Sequence, residues 1–218
     1  MASFHSLTAA QQRILAETFA RESGFFLTGG AALVGYHLHH RTTDDLDLFT
    51  LDDAAFERGP FVIRAVAEVL GGRLDVRQQA PGFHRYALAL PDDTVIVDLV
   101  LERVQQRCEV KPVVDGVRVD PPEEILANKL CAITGRMEER DLVDVMALER
   151  AGYRVEDALR PALAKDGGCT PATLAWLLSE IRVPADADMP GGIRGADLGA
   201  YLSELVVRLR RAALPVGS

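Results

Sequence analysis

Residues 25–50 read FFLTGGAALVGYHLHHRTTDDLDLFT, and this stretch decides the fold. The apolar run Phe25-Phe26-Leu27 predicts a short buried strand, which Thr28-Gly29-Gly30 breaks. Residues 31–38 predict a helix, because Leu33, Tyr36 and His37 return at helical spacing. A second strand follows, with Leu46, Leu48 and Phe49 apolar and Asp45 and Asp47 two apart. Alternate residues of a strand share a face, so the two carboxylates project together. Side-by-side carboxylates repel and need a counter-charge, for which a divalent cation is the usual one. The glycines ahead of the helix offer backbone N–H groups that suit a phosphate oxygen. Such a turn followed by such a pair points to chemistry on a nucleotide.

The run GG-A-A-L, then H-R-T-T-D-D-L-D-L-F, resembles the opening motif of the nucleotidyltransferases of the AbiEii/AbiGii toxin type. In the wider DNA-polymerase-beta-like superfamily a GG or GS turn precedes a D-x-D strand, and Arg41 belongs to the AbiEii-like version. The resemblance implies that Asp45 and Asp47 hold Mg²⁺ and that Gly29-Gly30 receives phosphate oxygens. Arg41 then fixes the D-x-D strand or contacts phosphate. Two neighbouring readings fit less well. His37, His39 and His40 suggest zinc, but His37 and His40 share a face without an accompanying third ligand at ordinary spacing. The run Asp45–Thr50 also resembles the D-x-D-x-T signature of haloacid-dehalogenase-like phosphatases, but polar residues precede the pair where that family has an apolar strand.

The chain has 218 residues, 48% hydrophobic and 26% charged, enough for one domain or for a catalytic half and a helical half. No apolar run reaches the length of a membrane span, and MASFHSLTAAQQ lacks the pattern of a signal peptide. Cys108, Cys131 and Cys169 are odd in number and widely spaced, which fits reduced thiols in a cytoplasmic protein. The net charge of −8 speaks against a general nucleic-acid binder, though not against a local basic patch for one RNA end.

Thr8–Gln11 has capping-box spacing and opens a helix with Ile14, Leu15, Thr18 and Phe19 on its stripe. Residues 54–70 predict a helix in two pieces, interrupted by Gly59-Pro60 and closed by Gly71-Gly72. Its second piece carries Phe61, Arg64, Ala65, Glu68 and Val69 on a mixed face. The period then falls to two: Leu74 and Val76 mark one strand, and Tyr86, Leu88 and Leu90 another, with a turn at Pro91-Asp92-Asp93. Residues 94–101, TVIVDLVL, predict a strand buried on both faces. Asp98 in its middle must be paired, hydrogen-bonded or metal-bound, since an unpaired buried charge costs several kcal/mol. In the superfamily a third carboxylate on a neighbouring strand completes the metal triad, and Asp98 is the residue placed for it; an ion pair with an arginine of the helical half is the alternative.

Residues 108–119 predict a hairpin turning at Asp115-Gly116. Asp120-Pro121-Pro122-Glu123-Glu124 is a helix start with Asp120 as cap. Lys129, four residues from both Ile125 and Ile133, lies on that helix's apolar stripe, either snorkelling to a rim or pointing at a triphosphate. From Lys129 the chain reads K-L-C-A-I-T-G-R-x-x-x-R-D-x-x-D-x-x-x-L, which resembles the later motif of the same family. There the lysine contacts nucleotide phosphates and the aspartate supports the site, implying those roles for Lys129 and Asp144, with Arg136, Arg140 and Asp141 around them. The plain alternative is a surface Arg140–Asp144 pair. Beyond, residues 155–163 and a segment begun by Thr170-Pro171 predict helices, the latter with Trp176, Leu177 and Ile181 inward. A Pro- and Gly-rich loop at 184–195 precedes a last helix, 196–213. Its basic end, Arg208, Arg210 and Arg211, complements the helix dipole or contacts RNA phosphate.

The expected architecture is an α/β (α+β) fold: a small mixed sheet with flanking helices in a catalytic domain over 1–120, then a helical domain over 121–218 that completes the active site. The expected reaction is Mg²⁺-dependent transfer of a nucleoside monophosphate from an NTP, ATP among the candidates, to an acceptor hydroxyl. Catalytic roles fall to Asp45, Asp47, Lys129 and Asp144, and metal binding to Asp45, Asp47 and Asp98. Nucleotide binding falls to Gly29, Gly30, Arg41 and Lys129. By resemblance the acceptor is a tRNA end and the protein a toxin with a cognate antitoxin. A protein or small-molecule acceptor, and a catalytically silent nucleotide-binding module, are the alternatives.

Overall fold

The computed structural model describes residues 7–214. The first six, part of the stretch judged for a signal peptide, lie outside the described residues. The chain divides into two compact units. One takes the chain up to Val104 together with Cys108–Pro121; the other takes Gln105–Arg107 and the chain from Pro122 onward.

The first unit opens with α1 (Ala9–Arg21). Thr8 Oγ1 accepts the Gln11 N–H at 3.2 Å and Gln11 Oε1 accepts the Thr8 N–H at 2.8 Å, so both halves of the capping box form. Next come β1 (Phe26–Thr28), a short helix α2 (Gly29–Ala32) running into a π-helical turn at Leu33–His37, β2 (Asp45–Thr50), α3 (Asp53–Val69), β3 (Arg73–Ala80), β4 (Phe83–Ala89) and β5 (Thr94–Leu101). The five strands make one mixed sheet in the order β1-β2-β5-β4-β3; β2 and β5 run parallel and the other pairs antiparallel. β5 is central, which is why its sequence is almost wholly apolar. On one face Leu46, Leu48, Tyr86, Leu88, Val97 and Leu99 are buried, where α1 and α3 pack. The opposite face carries Asp45, Asp47, Asp98 and Arg85.

Helix α3 corrects the expectation of two pieces, because it runs unbroken through Gly59-Pro60. Pro60 forfeits one helical N–H donor, yet packing holds the helix together. A Cβ on Gly59 would lie 2.6 Å from Leu99 Cδ1 and 3.0 Å from Phe25 Cζ, so glycine lets α3 close onto the sheet. The buried face is Ile63, Val66 and Ala67, while Phe61 and Val69 are exposed. The helix ends as the paired glycines imply: Gly71 has φ +66°, and the N–H groups of Gly71 and Gly72 reach back to Glu68 and Ala67 carbonyls.

A two-residue hairpin joins β6 (Val113–Val114) to β7 (Val117–Arg118), with Asp115 and Gly116 at φ 50° and 81° as a type I′ turn requires. Asp120 follows this hairpin. Fully buried, its carboxylate accepts Thr28 Oγ1 at 2.6 Å and pairs with Lys111 Nζ at 2.6 Å, and Lys111 lies 4.8 Å from the Phe26 ring centroid.

The second unit is helical: α4 (Pro122–Gly135), α5 (Glu139–Arg150), α6 (Val155–Lys165), α7 (Pro171–Glu180) and α8 (Gly195–Ala212), with α4 packed on α5, α6 and α7. The expected loop at 184–195 contains a small hairpin, β8 (Asp188–Met189) with β9 (Ile193–Arg194). Trp176 does not face inward as expected: it is 63% exposed, and Leu174, Ala175 and Leu178 form the buried stripe of α7. Arg208 pairs with Glu149 and, at 3.4 Å, with Glu156, so it braces α8 against its own unit. Among the described residues no helix is long and apolar enough to cross a membrane, and all three cysteines are free thiols.

Candidate active site

The D-x-D strand behaves as its period demands. Along β2 burial alternates, with Leu46, Leu48 and Thr50 inside and Asp45, Asp47 and Phe49 half-exposed. Asp47 stands opposite Thr28 on one side and Asp98 on the other, so its carboxylate lies over the start of α2. Gly29 sits there with φ +64°, and any Cβ would overlap Asp47 Oδ2. Glycine is required at that position for both reasons. The chain thus turns at Gly29, where α2 opens. A Cβ on Gly30 would lie 2.7 Å from Arg41 Nη2, which places the Arg41 guanidinium against the same turn. Arg41 also donates to its neighbour, the Thr42 carbonyl, at 2.7 Å, and Thr43 Oγ1 donates to Asp45 Oδ1 at 2.7 Å.

Asp98, 3% exposed, meets an arginine of the next strand. Arg85 Nε and Nη2 donate to Asp98 Oδ1 and Oδ2 at 2.8 and 2.6 Å. Arg85, Asp98 and Asp47 are cross-strand partners in one row. The paired Asp98 carboxylate, joined by the fields of Asp45 and Asp47, holds the guanidinium pKa above its ordinary value against the opposing effect of burial. Among the described residues no three His, Cys, Asp or Glu side chains form a ready-made chelating group. Asp45 and Asp47 still offer what Mg²⁺ needs, since hard carboxylate oxygens on one half-open strand face suit an ion that keeps several waters.

Histidines near the turn serve the backbone. His37 Nε2 lies 2.8 Å from the Asp120 carbonyl and His39 Nδ1 2.8 Å from the Val34 carbonyl.

In the helical unit Lys129 neither snorkels nor reaches solvent. It is 5% exposed, and its Nζ lies 2.7 Å from Asp141 Oδ1 and 2.7 Å from Asp144 Oδ2, both aspartates being fully buried. Asp144 is therefore no member of a surface pair. Arg136 Nε adds a weaker approach to Asp141 at 3.5 Å, and Arg140 pairs with Glu138 at 2.5 Å.

A family model described as the nucleotidyl transferase AbiEii toxin of type IV toxin–antitoxin systems matches residues 13–204. The chain belongs to the AbiEii nucleotidyltransferase toxin family. No curated protein sequence is significantly similar to it. Among solved structures, JHP933 from Helicobacter pylori is similar with a TM-score of 0.56 at 20% identity, over 92% of this chain and 90% of that one. An H. pylori protein provisionally described as a nucleotidyltransferase gives 0.57 at 20% identity, over 92% and 93%. At such identities these likenesses establish a shared fold.

Within this AbiEii-family chain, the structure gathers Asp45, Asp47 and Asp98 on one face of the first unit's sheet, with Gly29 against Asp47 and Gly30 against Arg41. It gathers Lys129, Asp141 and Asp144 inside the second. Sequence reasoning missed Arg85. The signal was present in the turn at Pro91-Asp92: counting back equally along both arms of that hairpin brings Arg85 opposite Asp98, the register observed.

Proposed function

We propose that this AbiEii-family nucleotidyltransferase moves a nucleoside monophosphate from an NTP to the end of a tRNA, in a Mg²⁺-dependent reaction, as the toxin of a toxin–antitoxin pair. The observation that carries the reading is the half-exposed face of β2, where Asp45 and Asp47 stand beside the Gly29 turn. Asp45 and Asp47 would hold Mg²⁺, which supplies charge neutralisation at the triphosphate and a lowered pKa for the attacking hydroxyl. The acceptor oxygen bonds to the α-phosphorus as the bond to pyrophosphate breaks.

The chain's own groups set that reaction up. Gly29 and Gly30 keep the backbone bare, so that phosphate oxygens can approach their N–H groups. Thr43 fixes Asp45 through its 2.7 Å hydrogen bond, and Arg41 is seated on Gly30. Lys129 keeps its proposed role at the nucleotide phosphates. Of the two roles open to Asp144, orienting Lys129 is favoured over taking a proton, because its carboxylate is buried and paired at 2.7 Å.

The family's toxin description supports the toxin role, and by the same reasoning a cognate antitoxin. The net charge of −8 favours a second acceptor class, a protein or small-molecule hydroxyl, because RNA-end binders carry more basic surface. Incubation with each of the four α-³²P-labelled NTPs, Mg²⁺, total tRNA and lysate protein separates the two. Label in tRNA supports the first acceptor, and label confined to protein or small molecules replaces it with the second. NTP binding without any transfer would point to a silent binding module.

A further inference from the structure

We infer that Arg85 is a phosphate-binding residue of the nucleotide site, and that Asp98 is the residue that positions it rather than a third metal ligand. The inference rests on the nucleotidyltransferase reading and assigns that site its cation. Arg85 is held at one edge only: Nε and Nη2 engage Asp98 at 2.8 and 2.6 Å. A planar guanidinium gripped along that edge keeps Nη1 and its second Nη2 hydrogen pointing away, a preset fork for two phosphate oxygens. The pair is asymmetric. The Asp98 side chain is 5% exposed, whereas that of Arg85 is 43% exposed. Phe83 adds a second restraint, its ring centroid lying 5.6 Å from Arg85 Cζ.

Position supports the same assignment. Arg85 shares a cross-strand row with Asp98 and Asp47, and the charges of Asp45 and Asp47 both act on it. A triphosphate approaching this face meets three carboxylates, and repulsion must be offset beyond what one divalent ion supplies. A fixed guanidinium does so at no cost in reorganisation. A metal ion seeking Asp98 would instead have to displace a bidentate partner and sit beside its positive charge.

The test uses the full chain and two probes. Inorganic tripolyphosphate is titrated by calorimetry in EDTA, and Mn²⁺ is titrated by electron paramagnetic resonance without nucleotide. Arg85→Gln is expected to weaken tripolyphosphate about 10- to 100-fold, the size of one or two charge-assisted hydrogen bonds, and Arg85→Lys to recover part of it. Asp98→Asn is expected to weaken tripolyphosphate while leaving Mn²⁺ affinity within about 3-fold, well short of the 10- to 100-fold typical when metal-site support is lost. If Arg85→Gln fails to fold because Asp98 is left unpaired, the Arg85→Gln/Asp98→Asn pair restores neutrality and still lacks the cation. Unchanged tripolyphosphate binding in the folded Arg85 variants, or a tenfold loss of Mn²⁺ affinity in Asp98→Asn, overturns the assignment. A wild-type chain that binds neither tripolyphosphate nor any NTP overturns the underlying nucleotide reading with it.

Discussion

Two charged groups in this molecule use the same ingredients to opposite ends. On the sheet, Asp47, Asp98 and Arg85 form a row whose outer members are half-exposed, with Asp45 two residues along β2 on the same face. In the helical unit, Lys129 is closed between Asp141 and Asp144 at 2.7 Å each, with all three side chains buried. Asp45 and Asp47 stand half-exposed on the strand, where solvent moderates the cost of neighbouring carboxylates. The helical triad is shut away from solvent, and Lys129, helped by Arg136 at 3.5 Å from Asp141, offsets two carboxylates in a medium where imbalance is costly. Openness suits the first group to the ligand exchange proposed for it, and closure lets the second also tie α4 to α5 while it fixes the lysine proposed to meet the phosphates.

This contrast breaks or sharpens under mutation. The largest effect is expected on activity: Asp45→Asn/Asp47→Asn should lower nucleotidyl transfer by about 10³-fold or more, the scale of losing a group at the reacting centre. Its folding stability should change little, because both side chains are half-exposed and asparagine keeps an acceptor for the Thr43 hydroxyl; a large drop in melting temperature would show the pair to be structural. Lys129→Met should behave in reverse. It leaves two buried carboxylates without their shared partner and should cost about 3–5 kcal/mol in urea unfolding. Stability within 1 kcal/mol of wild type, taken as roughly the scale of a solvated pair, would show that the triad is no brace.

Smaller effects test the two units' scaffolds. Gly59→Ala should destabilise the sheet unit by about 1–3 kcal/mol, because its Cβ would meet Leu99 and Phe25. A gain in stability would mean that helix propensity outweighs that contact. The smallest change is expected from Glu149→Gln, less than about 1 kcal/mol at neutral pH. Burial raises the Glu149 pKa, but Arg208, the Val155 N–H and the Tyr201 hydroxyl outweigh it and leave the value below the ordinary 4.5. Its stabilisation is therefore full above that ordinary value and lost as pH falls through the lowered one. Melting curves from pH 6 down to 3, a window set at about the ordinary carboxylate range, should fall less steeply in the variant than in the wild type.

Much of this could be read along the chain, where local rules decide the outcome. The period of two on β2 placed Asp45 and Asp47 together, and an apolar strand with one carboxylate marked Asp98 as a residue needing a partner. Thr8 and Gly71-Gly72 announced a helix start and a helix end by capping chemistry alone. The failures are non-local. Gly59-Pro60 looked like a break because the contact with Leu99 that rewards a continuous helix lies 40 residues away in sequence. Trp176 looked like core because size and apolarity say nothing about which stripe of α7 the neighbouring helices cover. Lys129 was correctly placed on the apolar stripe, but the two aspartates that hold it come from the next helix. Arg85 was passed over because a single arginine in an alternating strand is ordinary until its register against Asp98 is counted.

Transfer is proposed to be carried out at Asp45 and Asp47 on the open strand face. The most direct test is single-turnover transfer from α-³²P-labelled NTP by wild type and by Asp45→Asn/Asp47→Asn, at protein concentrations matched for folded chain by circular dichroism. Labelled product is expected from the wild type and none from an equally folded variant. Equal labelling by the two proteins would contradict the proposal.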